Sequence, residues 1–307
     1  AAVLVDYTEF NLRLGAALRR RGIPVLWCVA PQVWAWRPGR IASIARSLDR
    51  LAVILPFEAP LWRNAGVDAH YVGHPALDAI GRHESRFAAT TAIAMPAGGS
   101  SPRPAATPAD SSATRFAATT TPRPAVPRVA LLPGSRAHEV RRHTAPMLAA
   151  LGELDRAGQR VEARLLASAS LDRATRRWLD RAAADAGIAV VDVDPVSGAA
   201  PHLRAFDAAL AASGTATLEC ALAGATPVIV YRMSPLTAAV ARRLVRTPYV
   251  GLPNVVLDAA VYPELLGRDV APARLATALG RVLERRPAFE PRADELRARL
   301  TGGAPSR

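Results

Sequence analysis

Lysine is missing altogether: all 39 cationic side chains in the 307 residues are arginine. That absence removes whole classes of chemistry, because a Walker A phosphate loop, a protein kinase and a Schiff-base enzyme each need a lysine at a defined place. Cysteine is almost as scarce, with Cys28 in a predicted strand and Cys220 in a predicted helix. Two isolated thiols without CxxC spacing or neighbouring histidines make neither a disulfide framework nor a zinc site, and both are expected to be small buried residues. No window approaches the roughly 18 uninterrupted apolar residues of a membrane-spanning helix, and the first residues lack the layout of a signal peptide. The cytoplasm is the expected location.

Acidic residues are few beside the arginines, so the net charge is +13. Phosphorylated substrates, acidic lipid and nucleic acid all suit such a charge. No nucleic-acid motif with aromatics interleaved among basic residues is present, and nucleic acid is not an expected partner.

What is present is an alternation of short apolar runs with amphipathic stretches. Up to residue 83, "AVLV", "IPVLWCVA", "LAVILPF" and "AHYVGHP" are separated by helical patterns, which predicts half of a doubly wound parallel sheet covered on both faces. Residues 84–127 then turn to Ala, Thr, Pro and Ser, with "SRFAATT" echoed by "TRFAATT". Such a composition buries too little apolar area to offset its ordering entropy, so this stretch is expected to be a disordered linker or insertion. From 128 to 285 the alternation resumes as a second α/β layer of five or six parallel strands, followed by a C-terminal helix and tail over 286–307. Ligands are expected in a cleft between the two layers, at the carboxyl ends of the strands.

Four stretches carry the chemistry. In "LLPGSRAHEV", Gly134 and Ser135 form a tight turn into a helix, where backbone N–H groups and the Arg136 guanidinium suit a pyrophosphate. "AASGTATLEC" repeats the arrangement: Ser213, Gly214 and Thr215 begin a helix, and Glu219 stands one turn in, like an acidic residue that accepts ribose hydroxyls. Two such loops in one parallel sheet point to a nucleoside diphosphate. In "APQVWAWRPGR", Trp34 and Trp36 stand beside Arg37 and Arg40, a mixture that suits an acylated ligand or a membrane interface, or else aromatic residues entering the core. Asp6 ends the first strand, where α/β sheets place catalytic groups and where Asp also caps helices; Glu9 is the competing carboxylate. The pair Asp192 and Asp194 simply ends a strand, and no metal or cofactor is expected.

Read in order, "DYTEFN", "PQVWAWR", "ILPFE", "VGHP", "LLPGSRAHEV", "ASGTATLE", "YRMSPLT", "RRLVRTPYVGLPN" and "PELL" resemble the lipid A disaccharide synthase family over nearly all of the chain outside 84–127. The resemblance implies two Rossmann-like domains with a cleft between them, a GT-B-type glycosyltransferase, and inverting, metal-independent transfer at the cytoplasmic face of the inner membrane of a Gram-negative bacterium. It implies UDP-2,3-diacylglucosamine and 2,3-diacylglucosamine 1-phosphate as the substrates that form a β-1,6 link. Asp6 would be the general base, Arg136 would hold the pyrophosphate and Glu219 the ribose. Asn254 and Tyr231–Arg232 match segments lining the donor side, and Trp34, Trp36, Arg37 and Arg40 would face the acceptor, its acyl chains or the bilayer. Thr8 and Glu9 stand where the family has Pro and Asp. The family begins before this chain does, so an incomplete N-terminal acceptor domain with exposed apolar edges is expected. A remnant that only binds nucleotide or membrane, or another UDP-sugar enzyme of the same fold, is the alternative.

Overall fold

The computed structural model describes residues 1–35, 38–81, 126–194, 198–232 and 247–302. Of the expected linker only Val126 and Pro127 fall among them, and Trp36 and Arg37 lie outside.

The first sheet is parallel, with strands β1 (Ala2–Val5), β2 (Val25–Cys28), β3 (Arg50–Val53) and β4 (Asp68–Tyr71) in sequential order. Helices α1 (Thr8–Arg20), α2 (Ile41–Ala45) and α3 (Glu58–Asn64) connect the strands, and residues 75–81 begin α4. Leu4, Val25, Trp27, Leu51 and Trp62 are buried together at its core. α1 lies so close to the chain after α2 that a Cβ at Gly15 would stand 2.3 Å from the Ser47 carbonyl oxygen. Val3, Val5, Tyr7 and Phe10 are all more than half exposed. Cys28 is half-buried at the end of β2, against the expectation of burial, because the alternation of the strand turns it away from the side that Val25 and Trp27 fill.

The second sheet has six parallel strands, β5 (Arg128–Leu132), β6 (Glu162–Ser168), β7 (Ala189–Val193), β8 (Ala208–Ala212), β9 (Thr226–Tyr231) and β10 (Glu264–Leu266). Their spatial order is β10-β9-β8-β5-β6-β7. Counted from β5 this is the 3-2-1-4-5-6 arrangement of dinucleotide-binding folds, whose strand order reverses between β5 and β8. The near-continuous apolar runs predicted a parallel sheet covered on both faces, and β8 is buried at all five positions. On one face, α5 (Ala137–Arg156), α6 (Arg173–Asp185) and α10 (Pro272–Glu284) cover Val129, Leu131, Leu165 and Leu210. On the other, α7 (Ala200–Leu203) and α8 (Thr215–Ala223) cover Ala130, Leu166 and Ala211, and Cys220 of α8 is fully buried there.

The two sheets share a fourth apolar cluster. Leu55, Ala76 and Ile80 meet Leu218 and Leu222 of α8, Val256 of α9 (Leu252–Leu257), and Leu296 and Leu300 of α11 (Glu290–Leu300). The Tyr71 hydroxyl donates to the Leu300 carbonyl, which ties the last helix to the first sheet.

Candidate functional site

The reversal between β5 and β8 sends two loops out of the carboxyl edge side by side. After β5, Pro133 and Gly134 lead to Arg136, the N-cap of α5. Gly134 has φ 121°, a conformation that L residues rarely adopt, and a Cβ there would stand 2.8 Å from the Cβ of Glu139. Arg136 is largely exposed and its guanidinium meets Glu139 at 3.1 Å. After β8, Gly214 is the N-cap of α8, and Thr217 donates to its carbonyl at 2.7 Å. No side chain caps α5 or α8, whereas Asp172 caps α6 through the N–H groups of Ala174 and Thr175. Two adjacent helix starts with uncapped N–H groups and an arginine make an electropositive edge suited to a diphosphate.

A rigid support lies beneath these loops. The Ser213 hydroxyl donates to the Val250 carbonyl at 3.1 Å. Glu264 accepts the N–H groups of Val250 and Gly251 at 2.9 and 3.0 Å. Asn254, expected to touch the donor, belongs to this support: it is fully buried, and its amide donates to the Tyr262 carbonyl and to Glu264 while accepting from the N–H groups of Val261 and Tyr262. All four of its hydrogen bonds are used, so it shapes the loop behind Ser213 and does not face a ligand. Glu219 is also engaged, accepting the N–H groups of Ala199 and Ala200 where α7 begins, and burial raises its pKa.

On the first sheet, Asp6 is exposed at the carboxyl end of β1, its N–H donating to the Cys28 carbonyl at 3.0 Å. Asp6 and Tyr7 both have left-handed φ, 46° and 45°, and Val29 at the end of the adjacent strand has φ 65°. Three non-glycine residues in this region cost about 1–3 kcal/mol each, and such strain clusters at functional sites. Asn11, buried in the first turns of α1, holds the turn by donating to the carbonyls of Val5 at 3.1 Å and Asp6 at 2.5 Å.

Beside Asp6 a cavity of about 300 Å³ is lined by Tyr7, Thr8, Glu9, Gln32, Val33 and Arg40. Arg40 grips Glu9 through two bonds of 2.5 and 2.7 Å, which leaves Asp6 the carboxylate not held by that arginine. Trp34 is half-buried; its indole N–H donates to Glu58 at 2.9 Å and its ring stands edge-on to Phe57. It therefore packs toward the apolar cluster shared by the sheets, on the core side of the two readings open from the sequence. Glu58 is almost fully buried, and burial pushes its pKa up to about 7. His74, buried by the start of α4, is pushed down to about 4 by the same cause.

Sequence reasoning passed over Asn11, Glu58, His74 and His143, polar residues on buried faces. The signal for His143 was its place in the apolar stripe Val140, His143, Met147, Ala150 of α5. Among the described residues no cluster could hold a metal ion, and no helix is long and apolar enough to cross a membrane.

A family model described as lipid-A-disaccharide synthetase matches residues 1–99 and 110–299. The chain belongs to the lipid-A-disaccharide synthase family. The lipid-A-disaccharide synthase of Trichlorobacter lovleyi is 36% identical, over 99% of this chain and 72% of that protein. That of Anaeromyxobacter dehalogenans strain 2CP-C is 38% identical, over 97% and 69%. Among solved structures, a trehalose-6-phosphate structure from E. coli bound with UDP-2-fluoro glucose aligns with TM-score 0.52 at 12% identity, covering 98% of this chain and 69% of that one. An α,α-trehalose 6-phosphate synthase from Burkholderia multivorans aligns with TM-score 0.51, also at 12% identity, over 98% and 68%. At that identity the likeness is one of fold, the GT-B fold of paired Rossmann-like domains. A lipid-A-disaccharide synthase is a glycosyltransferase of lipid A biosynthesis, acting on a UDP-sugar and a lipid-linked sugar.

Proposed function

We propose that the chain transfers 2,3-diacylglucosamine from UDP to the 6-hydroxyl of 2,3-diacylglucosamine 1-phosphate with inversion and without a metal, residues 1–83 holding the acceptor and 128–285 the donor. Asp6 takes the proton of the 6-hydroxyl as its oxygen attacks the anomeric carbon; the bond from that carbon to the diphosphate breaks, and UDP leaves with the electron pair. Charge developing on the leaving diphosphate meets Arg136, the Gly134–Ser135 turn and the N–H groups at Ser213–Thr215, fixed before the reaction by the strand order. Glu219 meets the ribose by way of the Gly198–Ala200 loop that it anchors. The cavity beside Tyr7 and Arg40 receives the acceptor, and by the family resemblance Trp36 and Arg37 meet its acyl chains or the bilayer. Acting on such lipids, the enzyme would sit at the cytoplasmic face of the inner membrane.

The observation that carries this reading is Asp6 held in a left-handed turn at the carboxyl edge of β1 by the buried Asn11. The test incubates both substrates in detergent with the parent and with Asp6→Asn, following UDP release and disaccharide formation. A fall of about 10²-fold or more in the variant is expected. Equal rates would remove Asp6 as the base, and UDP binding without product from the parent would favour the nucleotide-binding alternative.

A further inference from the structure

His143 is fully buried in α5, seven residues beyond Arg136. Its Nδ1 lies 2.9 Å from the Pro133 carbonyl oxygen, and its Nε2 lies 3.0 Å from the backbone N of Arg232. A carbonyl only accepts and a backbone N–H only donates, so Nδ1 carries the proton and Nε2 presents its lone pair. The opposite tautomer would set two acceptors against each other at Pro133 and two donors at Arg232.

These partners belong to different strand ends. Pro133 follows β5 and opens the Gly134–Arg136 turn, while Arg232 follows β9. β8 stands between the two strands, so their ends are separated by two strand spacings, roughly 9–10 Å. The residues beyond those ends draw closer together, and one imidazole joins them, with Pro133 and Arg232 each within 3.0 Å of a ring nitrogen. Arg142, one residue earlier, reaches the Arg232 carbonyl at 3.4 Å and reinforces the same connection.

We infer that His143 is a positioning residue for donor binding, a strut whose neutral ring sets the Pro133–Arg136 turn against Arg232 at the end of β9, so that a diphosphate meets both at once. The inference rests on the donor-site reading above. It assigns to a side chain that touches no substrate the task of fixing the phosphate turn, and the turn depends on the Nδ1–H bond in particular.

The test is calorimetric titration of the full chain with UDP, alongside thermal melting. Three substitutions divide the bonds: His143→Asn places an amide N–H where Nδ1–H was, His143→Gln places an acceptor near the position of Nε2, and His143→Leu offers neither. The Leu and Gln variants are expected to bind UDP about tenfold more weakly or worse, and the Asn variant within about threefold of the parent. A purely structural histidine would lower melting temperature in all three without separating Asn from Gln in affinity. Should the Leu variant fail to fold, the Asn and Gln pair decides. Equal UDP affinity of Asn and Gln, or of a folded Leu variant and the parent, overturns the inference. A parent that binds no UDP brings down the donor-site reading itself, and with it the role of the strut, an outcome visible before any variant is made.

Discussion

Replacing Asn11 by Asp changes one atom's chemistry at the base of the Asp6 turn. The amide of Asn11 donates to two main-chain carbonyls, those of Val5 and Asp6. A carboxylate of the same shape donates to neither and sets a negative oxygen against both. Two hydrogen bonds of about 1 kcal/mol each are lost, and the repulsion brings the expected destabilisation to about 2–4 kcal/mol. The left-handed conformations of Asp6 and Tyr7 themselves cost about 1–3 kcal/mol each. The restraint and the strain it opposes are therefore of similar size, so the turn should relax once the donor is gone. Asp6 would then leave its position, and a displacement of about 1 Å is enough to lower turnover on the order of 10²-fold. Denaturant unfolding gives the first quantity and initial rates of UDP release the second. The introduced carboxyl is buried against carbonyls, so its folded-state pKa lies above its unfolded value. Lowering the pH then protonates it in the folded chain before it would in the unfolded one, returns one donor and narrows the stability gap to the parent. An Asn11→Asp protein that loses stability yet turns over at the parent rate would refute the claim that this amide holds the base in place.

Glu58, raised to about 7 by burial, stabilises the fold while protonated; that contribution is complete below about pH 4.5 and is lost as the pH rises through 7. Glu58→Gln should flatten the fall in denaturation midpoint between those limits, which is worth on the order of 3 kcal/mol, and an unchanged profile would count against a buried acid. His74, lowered to about 4, works in the other direction, its contribution being present above about pH 6.5 and lost as the pH falls through 4, so the Glu58→Gln profile should expose that acid-side loss. Gly134→Ala must adopt a φ of 121° and place a methyl against Glu139; a stability loss of about 1–3 kcal/mol and UDP binding weaker by about tenfold are expected by unfolding and calorimetry. Binding at parental strength would show that the turn tolerates a side chain.

The parallel sheets were legible because burial on both faces writes itself as uninterrupted apolar runs, as in "RVALL", "AALAA" and "TPVIV", whereas the order of the strands was not. The turns after β5 and β8 were legible for a related reason, since Gly134 and Gly214 take conformations that leave little choice of residue. Asn254 was not, because sequence shows that an amide is present but not that four backbone and side-chain partners already satisfy it. Trp34 belonged to both a core pattern and an interfacial one, and only its bond to Glu58 decides between them. The ties made by Asn11 and His143 join residues to main-chain carbonyls and an N–H, groups that nearly every residue carries and that therefore leave no mark in the sequence.

The two thiols form a ready-made pair of clocks. Cys28 is half-buried one residue before the strained Val29, and its carbonyl receives the Asp6 N–H, so a label there reports on the ground beside the candidate base. Cys220 is sealed inside the second sheet's core, where burial pushes its thiol pKa well up. With no lysine to compete for electrophiles, a thiol reagent should mark Cys28 in the folded chain and reach Cys220 only when the core of the second sheet opens. One unmodified protein thus offers separate readings of motion in each half.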